Sequence, residues 1–194
     1  MSIVFSEIIE QFHLLKHPFY LSWNEGKLSR RQLGLYSCEY GTFIRQISKG
    51  WQIVGEPKIA AEEMEHFNLW EKFADSICPQ MISAQLKTSV QLLWTTENNF
   101  GKYATTLGAL YAFEVQQPST ARSKLDGIRK HYEHWKMDEQ YFEKHVCDEF
   151  EPALLEEKIN QLNDIERNMA AVACATECQA LWDALTGIMR AGLN

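Results

Sequence analysis

The sequence predicts an all-α protein, a single bundle of about seven to eight helices, from three observations. Apolar side chains recur at helical spacing through most of the chain. Segments with the alternating pattern of a strand are scarce, and the few prolines stand where one helical pattern ends and the next begins. At 194 residues, 45% of them hydrophobic, the chain is long enough for one domain with a full core, which we place at residues 1–194.

Each predicted helix boundary has a local chemical reason. Ser29 with Gln32, and Asn163 with Glu166, have the spacing of a capping box, in which two side chains satisfy backbone N–H groups at a helix start. Proline is tolerated in a first turn because the N–H groups there have no partner inside the helix. The first four predicted helices cover about residues 3–16 (before Pro18), 32–49, 57 to 73 or 77, and 79–94. The fifth contains Glu114, and Pro118 starts or kinks a sixth. Asp138 caps a helix that contains Tyr141, Phe142 and His145, Pro152 begins a short one, and the last runs to about Met189. Residues 130–136 are predicted to form a polar loop.

Charge and cysteine content limit the class of protein. The net charge is −7 and the sequence pI is near 5.4, so neither nucleic acid nor an anionic membrane is expected as the main partner. No apolar run approaches the ~18 residues of a membrane span, and the N-terminal segment is acidic where a secretory signal is basic. Five cysteines without framework spacing indicate reduced thiols and a cytoplasmic protein. Cys174 and Cys178 are expected to be core thiols rather than zinc ligands.

A carboxylate stands in the middle of an apolar helical segment. Glu114 lies among Leu110, Phe113 and Val115, and Pro118 follows four residues later. Because proline has no N–H to donate to the Glu114 carbonyl, the helix must kink or end there. A carboxylate buried in a bundle needs a cation or several donors, since burying it unpaired is costly. The alternative is a glutamate at a helix end that reaches solvent.

A second helix pairs a histidine with carboxylates. Glu63 and His66 are three residues apart and Glu62 and His66 are four apart, so either pair shares one helix face. Glu-x-x-His is the arrangement by which di-metal carboxylate bundles present two ligands from one helix. Trp70 and Phe73 extend along the same face, which directs His66 toward the core. An exposed acidic face with one histidine is the alternative.

A third segment completes the set of candidate ligands. His145 and Glu149 are one turn apart, and Asp148 is the alternative carboxylate. Histidines and carboxylates from three helices suit iron or manganese, whereas zinc more often recruits thiolates or a closed set of four ligands. Reduced iron with open positions can bind O₂. We therefore expect one or two ions of iron or manganese, with O₂ as co-substrate.

The order and spacing of several short motifs resemble a known family. The motifs are His17-Pro18-Phe19-Tyr20, Trp23, Gly26-Lys27-Leu28, Tyr36 with Tyr40, His66 with Leu69-Trp70 and Phe73, Ala109-Leu110-Tyr111 with Glu114, Gln117-Pro118, Lys124, Gly127, and Tyr141-Phe142 with His145. Together they resemble haem-oxygenase-like proteins of the thiaminase-II and pyrroloquinoline-quinone-synthase superfamily. The nearest branch is the one named for the chlamydial protein associating with death domains, whose relatives include iron oxidases that make terminal alkenes. The likeness runs from about His17 through essentially the whole chain.

The resemblance implies a haem-oxygenase-like bundle that dimerises and holds two metal ions. By position it implies these ligands: Glu62 or Glu63, His66, Glu114, His145 and Glu149. The short Glu-x-x-His form matches the alkene-forming oxidases and favours Glu63. The family's late motif is His-x-x-x-Asp-x-x-His, but this chain has Glu149 in place of the aspartate and Pro152 in place of the last histidine. The second ion is therefore expected to be weakly held, absent, or held in part by Asp148 or Glu151.

The resemblance also implies a reaction. The chlamydial branch is implicated in making para-aminobenzoate for folate, with a tyrosine of the protein as ring source and a lysine as amino donor. Tyr20 and Lys124 fall at the matching positions, whereas the tyrosine that usually precedes the central glutamate is Phe113 here. A core aromatic and a solvated helix lysine are the structural alternatives for Tyr20 and Lys124.

Three functions remain open from the sequence. The first is an O₂-dependent oxidase that consumes its own side chains or takes a small molecule into a pocket lined by Tyr36, Tyr40, Phe43 and Tyr111. The second is a metal-free hydrolase of pyrimidine compounds of the thiaminase-II kind, in which Glu39 would grip the pyrimidine. That branch needs a nucleophilic cysteine on the fifth helix, and this chain has none there. The third is a non-catalytic interaction protein with a degenerate metal site.

Overall fold

The computed structural model describes residues 5–78, 82–147 and 149–192, which form ten α-helices and no strand. The helices are α1 (Phe5–Gln11), α2 (Pro18–Asn24), α3 (Arg30–Ile53), α4 (Pro57–Ile77), α5 (Lys87–Asn99), α6 (Tyr103–Glu114), α7 (Gln117–Gly127), α8 (Gln140–His145), α9 (Phe150–Asn160) and α10 (Asp164–Ala191). Short 3₁₀ turns at Leu14–Lys16 and Glu133–Trp135 and a π-helical turn at Ile128–Tyr132 connect them. The predicted all-α bundle is confirmed. None of the helices in these ranges combines the length and apolar character that crossing a bilayer requires.

The longest helices form the centre of the bundle. α3 packs along α4, and α10 packs along both α5 and α6. The crossing of α6 and α10 is close at Gly108, where a Cβ would stand 1.9 Å from the carbonyl oxygen of Ala170. Tryptophan, tyrosine and phenylalanine side chains fill the space between the helices, and twelve of the largest have less than 2% of their surface exposed.

The predicted caps are confirmed. Ser29 and Gln32 satisfy each other's backbone N–H groups at the start of α3, and Asn163 and Glu166 do so at the start of α10. α6 ends at Glu114, and Pro118 lies in the first turn of α7. Local capping chemistry and the missing proline N–H therefore set these boundaries.

Other boundaries differ from the prediction. The first helix ends at Gln11 rather than about residue 16, because the His13 side chain accepts a hydrogen bond from Leu15 N and starts a 3₁₀ turn. α5 begins at Lys87, later than predicted, and Pro79 lies outside the described residues. Residues 130–136 are mostly helical turns rather than a loop, and they end at Lys136 in the left-handed conformation (φ 51°).

Two further details concern short helices. α2 (Pro18–Asn24) was not predicted, although His17 caps it by accepting from Phe19 N. Asp138 does accept a hydrogen bond from Gln140 N at the start of α8, at 3.0 Å. α8 is only six residues long and ends on His145, so this histidine stands at a helix terminus.

Candidate metal centre and adjoining tyrosines

Three candidate ligands meet inside the bundle. Glu63 and His66 lie on α4 and His145 ends α8, and one ligand atom of each lies within 4.8 Å of the others. The ring centroids of the two histidines are 4.6 Å apart. All three side chains are buried, with 4%, 3% and 2% of their surfaces exposed. The i, i+3 spacing on α4 places its two ligands on one face, and α8 delivers the third.

Hydrogen bonds orient both imidazole rings. Nδ1 of His66 lies 2.9 Å from Oε1 of Glu63. Nδ1 of His145 lies 2.7 Å from the backbone carbonyl oxygen of Tyr141. Because a carbonyl oxygen only accepts, Nδ1 of His145 must carry the proton, so Nε2 is the ring nitrogen that can act as a metal ligand.

Glu114 lies close to this group. It is buried, and its Oε1 accepts a hydrogen bond of 3.1 Å from the Trp51 indole N–H. Burial raises the pKa of Tyr141 well above its ordinary value, and the nearby Glu63 and Glu114 carboxylates raise it further. Both carboxylates therefore lie near the Tyr141 hydroxyl, which itself accepts a hydrogen bond of 2.7 Å from Gln117.

The remaining predicted carboxylates separate into buried and exposed ones. Glu62 is exposed on α4, whereas Glu63 is buried. Glu149 is exposed just before α9, so the structure does not bring it to the buried group. Glu151, two residues later, has only 4% of its surface exposed. Asp148 lies outside the described residues.

The donor set fits a metal ion. Two imidazoles and a carboxylate converge in a buried place, with a second carboxylate nearby, and no thiol is among the ligands that converge in the described chain. Nitrogen and oxygen donors of this kind suit a divalent transition metal. A dication would also offset the negative charge that these buried carboxylates bring.

Tyr20 and Lys124 lie next to each other in the core. The Lys124 Nζ is 5.3 Å from the centroid of the Tyr20 ring. The Tyr36 hydroxyl joins them, because it lies 3.2 Å from the Tyr20 hydroxyl and accepts a hydrogen bond of 3.3 Å from Lys124 Nζ. Tyr20 and Lys124 have 1% and 2% of their surfaces exposed, so Lys124 is not the solvated helix lysine of the alternative interpretation.

Burial changes the protonation of Lys124. It lowers the pKa of Lys124 from 10.5 to about 7, so a substantial fraction of this amine is neutral near pH 7. No salt bridge in the described part of the chain involves Lys124, and its Nζ lies instead over the rings of Tyr20, Tyr36 and Phe142. A neutral amine is nucleophilic without a separate general base.

Aromatic rings connect this pair to the histidines. The centroids of Tyr36 and Trp70 are 5.5 Å apart, those of Trp70 and Tyr141 are 4.9 Å apart, and those of Tyr141 and His145 are 4.4 Å apart. The candidate ligands and the Tyr20–Lys124 pair therefore belong to one continuous part of the core.

The predicted substrate pocket is not assembled as one space. Tyr36 stacks on Tyr40 with centroids 5.1 Å apart, and Tyr40 contacts Phe43 at 5.5 Å. Tyr111 lies elsewhere, against Phe5, and borders a separate cavity of about 190 Å³. Glu39 is buried, and its carboxylate accepts hydrogen bonds from the backbone N–H groups of residues 85 and 86 ahead of α5. Direct ring packing occupies the region where the prediction placed a substrate.

Two side chains at this centre were not predicted from the sequence. Trp51 supplies the donor to Glu114, and Tyr141 lies near both buried carboxylates. The position of Tyr141 one turn before His145 is a signal that could have identified it. Trp51 offered none, because a tryptophan near a helix end is usually a core residue.

A second buried carboxyl group lies apart from these residues, on α10. Glu177 accepts hydrogen bonds from Thr96 and Asn99, and burial raises its pKa from 4.5 to about 7. Cys174 and Cys178, one turn from each other on the same helix, are fully buried and belong to an apolar cluster with Ile8. The expectation that these two are core thiols agrees with this position.

The raised pKa of Glu177 predicts a pH-dependent stability. Between pH 4.5 and about 7 the unfolded chain ionises while the folded carboxyl keeps its proton, so the free energy of unfolding falls as pH rises through this window. Glu177→Gln imitates the protonated form and should remove the fall, with a gain of up to about 3 kcal/mol at pH 8. Urea unfolding of both proteins at pH 5 and pH 8 measures it. An equal dependence of the free energy of unfolding on pH in both proteins would contradict the raised pKa of Glu177.

The chain is similar to proteins of known name and to solved structures. The chain is 32% identical to the 4-aminobenzoate synthase of Nitrosomonas europaea, with 93% of this chain and 87% of that protein aligned. It is 26% identical to the 4-aminobenzoate synthase of Chlamydia pneumoniae, over 93% of this chain and 91% of that protein. A solved domain from Shewanella denitrificans with a haem oxygenase-like fold matches with a TM-score of 0.81, covering 96% of this chain and 90% of that one at 15% identity. No protein-family model matches the chain.

The fold is therefore that of the haem oxygenase-like proteins, and a buried group of histidine and carboxylate ligands within it fits a metal ion. The chain belongs to the 4-aminobenzoate synthase family. The family resemblance drawn from the motifs and the prediction of an enzyme are both confirmed.

Proposed function

We propose that this chain forms 4-aminobenzoate in an O₂-dependent reaction that consumes its own Tyr20 and Lys124. The single observation that carries the proposal is the burial of Lys124 Nζ 5.3 Å from the Tyr20 ring, with one hydroxyl between the two reacting groups. The names of the relatives supply the product.

The chemistry of the product matches these two side chains. In 4-aminobenzoate, a nitrogen and a carboxyl carbon stand at opposite positions of a benzene ring, as the phenolic oxygen and Cβ do in tyrosine. The conversion requires that Lys124 Nζ replace the phenolic oxygen of Tyr20, which leaves as water. The Cε–Nζ bond of Lys124 and the Cα–Cβ bond of Tyr20 must break, and Cβ must become a carboxyl group. O₂ is the oxidant, and an external reductant supplies the remaining electrons.

The chain's own residues bind and orient the reacting groups. The hydroxyl of Tyr36 accepts a hydrogen bond from Lys124 Nζ and lies in hydrogen-bonding contact with the Tyr20 hydroxyl. This one hydroxyl group therefore orients both the amine and the phenol. Burial keeps part of Lys124 neutral and therefore nucleophilic. The surrounding rings exclude water, which would otherwise compete as a nucleophile.

We assign the first metal position to Glu63, His66 and His145. Iron is the metal that we propose, with manganese as the alternative, because the donors are nitrogen and oxygen and the reaction requires that O₂ be activated. When bound, such an ion supplies activation of O₂. Trp51 holds the Glu114 carboxylate at the edge of this position.

We assign the second metal position to Glu114 and Glu151. α6 ends at Glu114, and α9 begins just after His145 and packs against α6. Within α9, Glu151 is the buried carboxylate and shares a helix face with Leu155 and Ile159, and we propose that it reaches Glu114.

This assignment predicts that Glu151, rather than Glu149, helps to hold the second ion. Pro152 replaces a histidine of the family motif, so fewer than two ions per chain should survive desalting after anaerobic iron loading. Glu151→Gln should lower the iron content further, whereas Glu149→Gln, at an exposed position, should leave it unchanged. Elemental analysis and titration with Fe²⁺ measure both. Two firmly held ions, or loss on changing Glu149 alone, would contradict the assignment.

The role of Lys124 has its own test. Lys124→Met keeps a long side chain of similar volume and should abolish product formation, because no amine remains. The variant should also be more stable than the wild type at pH 6. Between pH 7 and 10.5, Lys124 binds fewer protons in the folded chain than in the unfolded chain, so the free energy of unfolding of the wild type rises with pH across that window. Below pH 7 the full free-energy cost of burying the charged amine is present. Product assay and urea unfolding at pH 6 and pH 10 check both. Persistent product would contradict the donor role.

The direct test of the function uses no added substrate. Iron-loaded protein given O₂ and a reductant should release 4-aminobenzoate, with at most one product per chain. Continued turnover that requires an added small molecule would favour the alternative of an oxidase with an external substrate.

A further inference from the structure

Two cysteine side chains from different helices meet at the surface. Cys38 is buried on α3, and Cys78 is the half-buried C-cap residue of α4. A Cβ added to Gly34 would stand 2.8 Å from Cβ and 3.4 Å from Sγ of Cys78. Gly34 lies one turn before Cys38 on the same face of α3. The missing side chain at Gly34 therefore lets Cys78 approach α3 beside Cys38.

The two thiols also interact. Burial raises the pKa of Cys38, and the neighbouring Cys78 thiol raises it further. Cys78 is the more exposed of the two, so it is the thiol that an external reagent reaches first.

The cavity beside the thiols is cationic. It has a volume of about 490 Å³ and is lined by Arg30, Arg31, Gly34, Leu35, Cys38, Ile77 and Cys78. Both arginines are exposed, and Arg30 Nε donates a hydrogen bond of 3.3 Å to the Ile77 carbonyl oxygen at the cavity wall. Neither arginine forms an ion pair within the described ranges. In a chain of net charge −7, two unpaired guanidinium groups at one cavity suit an anionic ligand.

We propose that Cys38 and Cys78 form a thiol–disulfide exchange site for an anionic low-molecular-weight disulfide such as glutathione disulfide. The arginines bind its carboxylates, and the cavity between α3 and the end of α4 places its sulfur–sulfur bond at Cys78. This site goes beyond the proposed synthesis and uses none of the residues assigned to it.

The exchange balances in two steps. The Cys78 thiolate attacks one sulfur of the bound disulfide, a mixed disulfide forms on Cys78, and one glutathione leaves as a thiolate that takes up a proton. Cys38 then loses its proton to solvent and attacks the Cys78 sulfur, which releases the second glutathione. The protein loses two hydrogens, and the disulfide ligand gains them. The product is a bond between α3 and the C-terminal end of α4.

The test follows this bond by mass spectrometry. The purified protein is reduced, desalted and incubated anaerobically with glutathione disulfide, and non-reducing peptide maps are recorded. A Cys38–Cys78 cross-link is expected in the wild type. Cys38→Ser should accumulate the mixed disulfide on Cys78, and Cys78→Ser should give no cross-link and no adduct on Cys38. The exposed Cys147 is a control in every sample, since it should form only a mixed disulfide.

The role of the two arginines in binding is tested by comparing an anionic disulfide with a neutral one. Arg30→Gln with Arg31→Gln should slow cross-linking by glutathione disulfide about threefold to tenfold and leave the rate with neutral hydroxyethyl disulfide unchanged. Circular dichroism confirms that each variant is folded. Absence of the wild-type cross-link would overturn the dithiol site, and equal slowing with both reagents would overturn the anionic ligand. Neither result bears on 4-aminobenzoate formation, which is measured separately.

Discussion

Tyr20→Phe is expected to abolish 4-aminobenzoate formation. Without the phenolic oxygen, the ring carbon opposite Cβ has no group that the Lys124 nitrogen can replace. The fold should survive, because the change removes one hydrogen bond of 3.2 Å to Tyr36 and keeps the ring that packs against Phe19. The loss of stability should be about 1 kcal/mol.

The matched control for this variant is Tyr111→Phe. Tyr111 is half-buried, lies near Phe5 rather than Lys124, and loses the same single oxygen atom. Product released by each iron-loaded protein, measured per chain after exposure to O₂ and reductant, should fall to background in Tyr20→Phe and remain in Tyr111→Phe. Undiminished product in Tyr20→Phe would show that the ring comes from another source.

Glu63→Gln is expected to remove most of the bound metal and, with it, the activity. The substitution leaves the side-chain shape but takes away the charge that offsets a dication next to His66 and His145. It also alters the hydrogen bond of 2.9 Å that orients His66. Changes of this kind at ligands and their partners cost at least about 10–100-fold in metal affinity.

The neighbouring residue provides the matched control for this change. Glu62 stands one position earlier on α4 and is exposed, so Glu62→Gln makes the same chemical change without reaching the buried group. Iron content after desalting and the Fe²⁺ dissociation constant should change in Glu63→Gln and stay at the wild-type values in Glu62→Gln. The reverse result would assign the ligand to Glu62, the alternative that helical spacing alone allows.

Much of the fold could be predicted from local patterns. Capping boxes and prolines fix boundaries through interactions within a few residues, so Ser29, Asn163 and Pro118 marked helix starts correctly. The start of α5 could not be predicted in this way. It depends on Glu39, which comes from a helix far away in the sequence and binds the backbone ahead of α5.

The candidate site likewise combines features that local sequence patterns predict with features that depend on distant residues. The spacing of Glu63 and His66 was sufficient to place both on one helix face. The sequence after His145 was not sufficient to identify the buried carboxylate. α8 ends at His145 and a new helix begins at Phe150, which interrupts the helical spacing that would bury Glu149. Glu151 is buried instead. The hydroxyl that joins Tyr20 to Lys124 belongs to Tyr36, and no pattern in the sequence specifies that contact.

The origin of the product ring tests the central claim most directly. Protein is produced with ¹³C in the rings of all its tyrosines, loaded with iron, and exposed to O₂ and a reductant in unlabelled buffer without added substrate. We predict that the released 4-aminobenzoate carries the ¹³C ring and that the peptide containing Tyr20 loses its tyrosine side chain in equal amount. Unlabelled product, or labelled product with Tyr20 intact, would contradict the account.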